Sequence, residues 1–181
     1  MLQNITGLER VLTGDIQIDG LSAKELYKDV KNVHGIIGYQ PQTSNIDIDL
    51  SVSEHITLIA NLAGADESTI ATRVHNMLVN LYLEDVKDDK AGVLSPGYLR
   101  RLTLGMALIG SPKIVILDDP TAGVDPVTTQ KLLQTIRLET RESTLLVCTQ
   151  SVDVAEALAE KIAVMHEGKF IAVGTPSEFM H

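Results

Sequence analysis

The chain has no tryptophan and only two phenylalanines and four tyrosines, so aromatics make up 3% of its 181 residues. Any core must be filled by aliphatic side chains, and a hydrophobic content of 44% supplies them. A single cysteine, Cys148, excludes an internal disulfide and suits a reducing compartment. It follows Leu145, Leu146 and Val147, so it reads as a buried strand position rather than a reactive thiol. No apolar run approaches the ~20 residues of a membrane-spanning helix. The first ten residues, MLQNITGLER, lack the form of a secretory leader. Positive charge is also scarce. There are 15 Lys and Arg against 24 Asp and Glu, a formal net charge of -9. That balance argues against nucleic acid as a partner and against direct binding to an anionic membrane surface. The length suits one domain, or one domain with a small added lobe.

Local patterns divide the chain in two. GDIQIDG alternates apolar and polar residues between glycines, as a half-exposed strand does. SAKELYKDV reads as a short amphipathic helix with Leu26 and Val30 on one face. GIIGYQPQ is a short buried strand running into a proline-broken loop. Ser51 with Glu54 three residues on is a capping box, and Gly64 is a stop for the helix it opens. Ile70, Val74, Met77, Leu78 and Leu81 are spaced for one helix face. EDVKDDK reads as a solvated charged loop. The second half alternates helix with fully apolar strands (KIVILD, STLLVCT) and ends in a hairpin around Glu167-Gly168. Such alternation predicts a parallel sheet covered on both faces. Residues 1–47 and 109–181 read as an α/β core, and about 48–108 as an inserted helical lobe.

Three aspartates follow the apolar run IVIL. Asp118 at its end sits where open α/β sheets bind ligands, so it is a candidate Mg²⁺ holder; a strand-end turn residue is the plain alternative. Asp125 before Pro126 has the form of a helix N-cap, and so does Ser95 before Pro96. A helix start carrying Ser95 and Gly97 is also a seat for phosphate.

The order YQPQ, helical lobe, LSPGYLRRLTLGMALIGSPKIVILDDPTAGVDP, LLVCTQ, EGKFIAVGTP resembles the nucleotide-binding domain of an ABC transporter over nearly the whole chain. It is most similar to the A subfamily, which exports lipids, and to related export ATPases. The resemblance implies a P-loop NTPase-like α/β fold, with ATP and Mg²⁺ as cofactors. It implies a second ABC ATPase domain as head-to-tail partner, and a place for this chain at the cytosolic face of a membrane, joined to a transporter's transmembrane domains. Gln42 matches the Q-loop glutamine, a Mg²⁺ and water ligand. Ser95 and Gly97 match the signature motif that grips the partner's nucleotide. Asp118 matches the Walker B aspartate and Asp119 the catalytic base. Asp125 matches the D-loop aspartate and Gln150 the switch histidine. Arg100 and Arg101 occupy positions often basic in the family; they either touch the partner's nucleotide or line a solvated helix face.

The departures from the family pattern are specific. No GxxxxGK(S/T) occurs, so the phosphate-cradling amides and lysine are absent from the 181 residues. The start resembles the family's segment just after that motif, which predicts a missing phosphate loop and missing N-terminal strands. Either an incomplete gene model or a real shortening accounts for it. Asp119 is one methylene shorter than the family's glutamate, which retracts the carboxylate by roughly 1 Å, and such a misplacement can cost about 100-fold. Gln150 can donate a hydrogen bond but cannot become cationic as histidine does. Pro96 replaces a signature glycine and Tyr98 the signature glutamine. These departures leave two expectations: an ATPase domain with degenerate motifs, or a non-catalytic module that lends its signature to a partner. A soluble relative, such as a translation factor or DNA-repair ATPase, fits the acidic charge less well. Among the histidines (34, 55, 75, 166 and 181) there is no metal-ligand spacing; His55 and His75 are expected on helices, on solvated or lobe-facing sides.

Overall fold

The computed structural model describes residues 1–18, 20–23, 28 and 35–179. The chain opens with a single turn, α1 (Leu2–Ile5), and a two-residue antiparallel ladder of β1 (Gln17–Ile18) and β2 (Leu21–Ser22). The predicted half-exposed strand is thus reduced to one buried residue, Ile18, beside exposed Gln17. The helix expected from SAKELYKDV lies largely outside the described residues.

Next comes β3 (Ile37–Gln40), then two amphipathic helices, α2 (Val52–Leu62) and α3 (Glu67–Asn80). Both halves of the predicted capping box form. The Glu54 amide donates to Ser51 Oγ at 3.2 Å, and the Ser51 amide donates to Glu54 Oε2 at 2.7 Å. Asp66 caps α3 in the same way, its carboxylate accepting from the Ser68 amide. The charged stretch after α3 is partly ordered into single 3₁₀ turns, Glu84–Val86 and Ala91–Val93. Helix α4 (Pro96–Leu108) then leads to strand β4 (Ile114–Asp118), α5 (Pro126–Glu139) to β5 (Thr144–Cys148), and α6 (Val152–Leu158) to the hairpin β6 (Ile162–His166) and β7 (Lys169–Gly174). The chain closes with a turn, α7 (Pro176–Phe179). Glu167 (φ 48) and Gly168 (φ 75) both adopt the left-handed conformation that a two-residue hairpin turn requires.

Strands β3, β4 and β5 form a parallel sheet in that order. Gln40 aligns with Leu117, and Asp118 with Cys148, so the three carboxyl ends finish at one level. The expected cover is complete on β4, where Val115, Ile116 and Leu117 are fully buried. It is incomplete on β5, whose residues are half-buried and which pairs only with β4 among the described residues. One hydrophobic cluster runs from Val52 and Ile56 of α2, through Val74 and Met77 of α3 and Leu102 and Leu104 of α4, to Val115 and Leu117 of β4 and Ile136 of α5. Gly38 lets β3 press directly on α4: a Cβ there would lie 2.0 Å from the Ala107 carbonyl oxygen.

Candidate functional site

An apolar strand that ends in a carboxylate delivers it to the sheet's carboxyl edge. There Gln42, Asp118, Asp119, Cys148, Thr149 and Gln150 line one open cavity of about 190 Å³. Four of the residues singled out in the sequence therefore converge: Gln42, Asp118, Asp119 and Gln150. Ser95, Gly97 and Asp125 are not among the lining residues. The three aspartates are not one cluster.

Asp118 is half-buried in the last position of β4. Burial pushes its carboxyl above the usual range; the Arg100 guanidinium opposes this and the Asp119 carboxylate adds to it. Asp119 leaves the strand with φ 54, a left-handed conformation that aspartate tolerates better than most side chains. Its amide donates to the Cys148 carbonyl at 2.7 Å, and its carboxylate accepts from Thr149 Oγ1 at 3.3 Å. Gln42 and Gln150 are exposed at the rim. Cys148, half-buried rather than buried, faces Asp118 across the sheet. Burial, and then the Asp118 charge, push its thiol up, which keeps it protonated and unreactive at neutral pH.

The turn that carries Ser95 and Gly97 lies elsewhere. Ser95 is the N-cap of α4, with Pro96 at the first helical position. Gly97 fits closely: a Cβ there would lie 3.2 Å from the Gly123 carbonyl oxygen. Asp125 caps α5, its carboxylate accepting from the Thr128 amide at 3.0 Å. The capping readings of Ser95 and Asp125 are thus correct, and both residues remain exposed.

Arg100 and Arg101 do not line a solvated helix face. Arg100 is 3% exposed and points inward. Arg101 lies over the Tyr98 ring, 4.1 Å from its centroid, and donates to the Leu81 and Tyr82 carbonyls. The Tyr98 hydroxyl donates to Asp85, so the stretch read as a solvated loop anchors α4. His55 is buried, with Nδ1 2.8 Å from the Ser51 carbonyl, whereas His75 is exposed. The sequence reading missed Thr149, and it did not anticipate that Arg100 turns inward. Thr149 could have been found as the residue following a strand that ends level with Asp118.

The family model for "ABC transporter" matches residues 1–122. ABC transporter A family member 9 of Arabidopsis thaliana is 33% identical over 171 residues, covering 94% of this chain and 18% of its own length. ABC transporter ced-7 of Caenorhabditis elegans is 36% identical, with coverage of 95% and 10%. The retinal-specific phospholipid-transporting ATPase ABCA4 of Bos taurus is 36% identical, with coverage of 94% and 7%. The chain therefore spans less than a fifth of each of these relatives. The solved structure of an ATP binding subunit of an ABC transporter has the same fold, with a TM-score of 0.87 at 24% identity over 98% of this chain and 73% of that one. The dimeric bacterial ABC transporter cassette MJ0796 matches with a TM-score of 0.87 at 24% identity over 97% and 78%. This chain belongs to the ABC transporter family, as an ATP-binding domain similar in sequence to members of the A subfamily.

Proposed function

We propose that this chain is the nucleotide-handling part of an ABC transporter that exports lipids, and that its own hydrolytic power is weak or absent. The observation that carries the reading is the convergence of Gln42, Asp118, Asp119 and Gln150 on one cavity at the carboxyl ends of parallel strands. The cargo class is supported by relatives such as the phospholipid-transporting ATPase.

Among the described residues, no cluster of three or more His, Cys, Asp or Glu could hold a metal alone. Two carboxylates at an open cavity suit Mg²⁺, which keeps waters and takes substrate phosphates as its other ligands. Asp118, whose carboxyl burial pushes up, would be relieved by such a cation. Asp118 and Gln42 are the residues that would hold it. Mg²⁺, when bound with ATP, supplies charge neutralisation at the phosphates. Asp119, oriented by Thr149, accepts a proton from water; Gln42 and Gln150 orient that water by hydrogen bonds. No GxxxxGK(S/T) cradle is present among the 181 residues to grip the phosphates. The shortened Asp119 and the neutral Gln150 support weak or absent turnover. The exposure of Ser95 and Asp125, with Gly97 half-buried beside them, all outside the cavity, supports a head-to-tail partner that takes this chain's signature. In that arrangement the chain acts chiefly as the non-catalytic half of a pair. Among the described residues no helix is long and apolar enough to cross a membrane. The proposed assembly includes a transporter's transmembrane domains, as membership of the family supports.

Titration calorimetry of the 181-residue chain with Mg-ATP tests this reading. Binding weaker than micromolar is expected, and a micromolar Kd sinks the role given to the phosphate loop. Any hydrolysis observed should vanish in Asp119→Asn; an unchanged rate removes Asp119 as the base.

A further inference from the structure

Arg100 carries a full charge yet is 3% exposed, and it forms no salt bridge among the described residues. Its guanidinium has five N–H donors, and all five are committed to main-chain carbonyls. Nε donates to Asp119 O at 2.9 Å. One terminal nitrogen donates to Pro41 O at 2.7 Å and to Gln42 O at 3.0 Å. The other donates to the carbonyls of Asp118 and Asp119. The residue's own carbonyl accepts from Gln40 Nε2 at 2.9 Å and from Thr103 Oγ1 at 3.0 Å. One residue on the second turn of α4 thus ties together the exit of β3 and the exit of β4. The same helix begins with Ser95 and Gly97.

We propose that Arg100 is a positioning residue, which fixes Gln42 relative to Asp118 and Asp119 and makes any displacement of the signature turn a displacement of all three. The inference rests on reading the cavity as the nucleotide site. The geometry explains why an arginine stands here. Four carbonyls on two segments need a planar fork with five donors. Lysine offers a point charge with three donors on a flexible stem and cannot span both exits. Bonds from a charged donor are also stronger than neutral ones, so the clamp resists local opening. Because each segment is held through its main chain, the side chains of Gln42, Asp118 and Asp119 stay free to face the cavity.

The test uses the full chain, with Arg100→Lys and Arg100→Gln. Hydrogen exchange is read at the Asp119 and Ala122 amides, which bond to Cys148 O and Asp119 O, and at the Ile70 and Leu83 amides as distant controls. Exchange at Asp119 and Ala122 should quicken on the order of 10- to 100-fold in both variants, the size expected for losing one or two charge-assisted hydrogen bonds. The controls should stay within about three-fold. Uniform quickening, a chain that fails to fold with Arg100→Lys, or full rescue by lysine overturns the proposal and leaves Arg100 as a structural cation. Mn²⁺ titration runs in parallel with Asp118→Asn as reference. Arg100→Lys should weaken Mn²⁺ binding by about 10-fold, and undiminished affinity counts against the clamp. If the unaltered chain binds Mn²⁺ no better than Asp118→Asn, the cavity reading fails, while the exchange experiment still judges the clamp.

Discussion

Gly38→Ala is the sharpest perturbation the fold offers, because the site's first strand is held against a main chain rather than a side chain. The new Cβ would sit 2.0 Å from the Ala107 carbonyl oxygen and 2.7 Å from Pro112 Cγ. Ordinary contact needs about 3.5 Å, so β3 and α4 must separate by roughly 1.5 Å. Neither can retreat freely. Gly38 pairs with Val115 in the sheet, and Ala107 is buried in the main cluster. Overpacking of this kind costs about 1–3 kcal/mol, and a rigid carbonyl as the obstacle argues for the upper end. Gly105→Ala is the matched control. Its Cβ would meet Leu81 Cδ1 at 2.9 Å, a side-chain tip that can rotate. There alanine also gains up to about 1 kcal/mol of helix propensity. Urea unfolding followed by far-ultraviolet circular dichroism should show Gly38→Ala losing at least ~2 kcal/mol with an unchanged m value, and Gly105→Ala staying within ~1 kcal/mol of the parent. A loss below about 1 kcal/mol for Gly38→Ala refutes the reasoning that β3 and α4 are locked at this contact.

Other expectations rest on single residues. Asp119 has φ 54, so Asp119→Ala should cost about 1 kcal/mol more than Asp119→Asn in the same unfolding assay, since asparagine tolerates the left-handed region. Four exposed carboxylates are held below their ordinary range by hydrogen bonds at turns and helix starts: Glu54 by the Ser51 amide, Asp66 by the Ser68 amide, Asp125 by Thr128 and Glu178 by the Thr175 amide. Their stabilisation is full above the unfolded-state pKa near 4 and is lost as pH falls through the lower folded values. A midpoint-versus-pH series should therefore drop below about pH 4, and Asp125→Asn should shallow that drop while keeping the cap. Cys148 should react with a thiol reagent at neutral pH at least about ten-fold more slowly than a free thiol, and denaturant should remove the difference.

The features legible in the sequence were carried by local chemistry. Ser51 and Glu54 specify their cap within four residues, Asp125-Pro126 specifies a helix start, and Glu167-Gly168 specifies a hairpin turn. Each signal is complete within one turn of chain. Convergence of Gln42, Asp118, Asp119 and Gln150 was legible through the resemblance, since no local rule brings residue 42 beside residue 118. Arg100 was misread because charge on a helix normally marks the solvated face. Helix α4 buries residues around most of its circumference, including Leu102, Thr103, Leu104 and Gly105, so that rule has no solvated face to report. Asp85 was misread for a related reason: its bond to Tyr98 spans 13 residues and leaves no periodic trace. The apolar run of β5 predicted full cover, yet composition cannot say whether a neighbour is present on the outer edge.

The register of the sheet has a kinetic consequence. Ile114 pairs with Thr144 across a single helix, 30 residues apart (144 − 114), but Ile37 pairs with Ile114 across 77 residues (114 − 37). Closure of the longer loop carries the larger entropic cost, and parallel pairing at such separation is slow. Helices α2, α3 and α4 lie inside that loop, and their collapse into one cluster draws its ends together. Of the two pairings, that of β3 with β4 therefore carries the larger closure cost. Placing Gln42 beside Asp118 and Asp119 is the entropically costlier step in building the cavity.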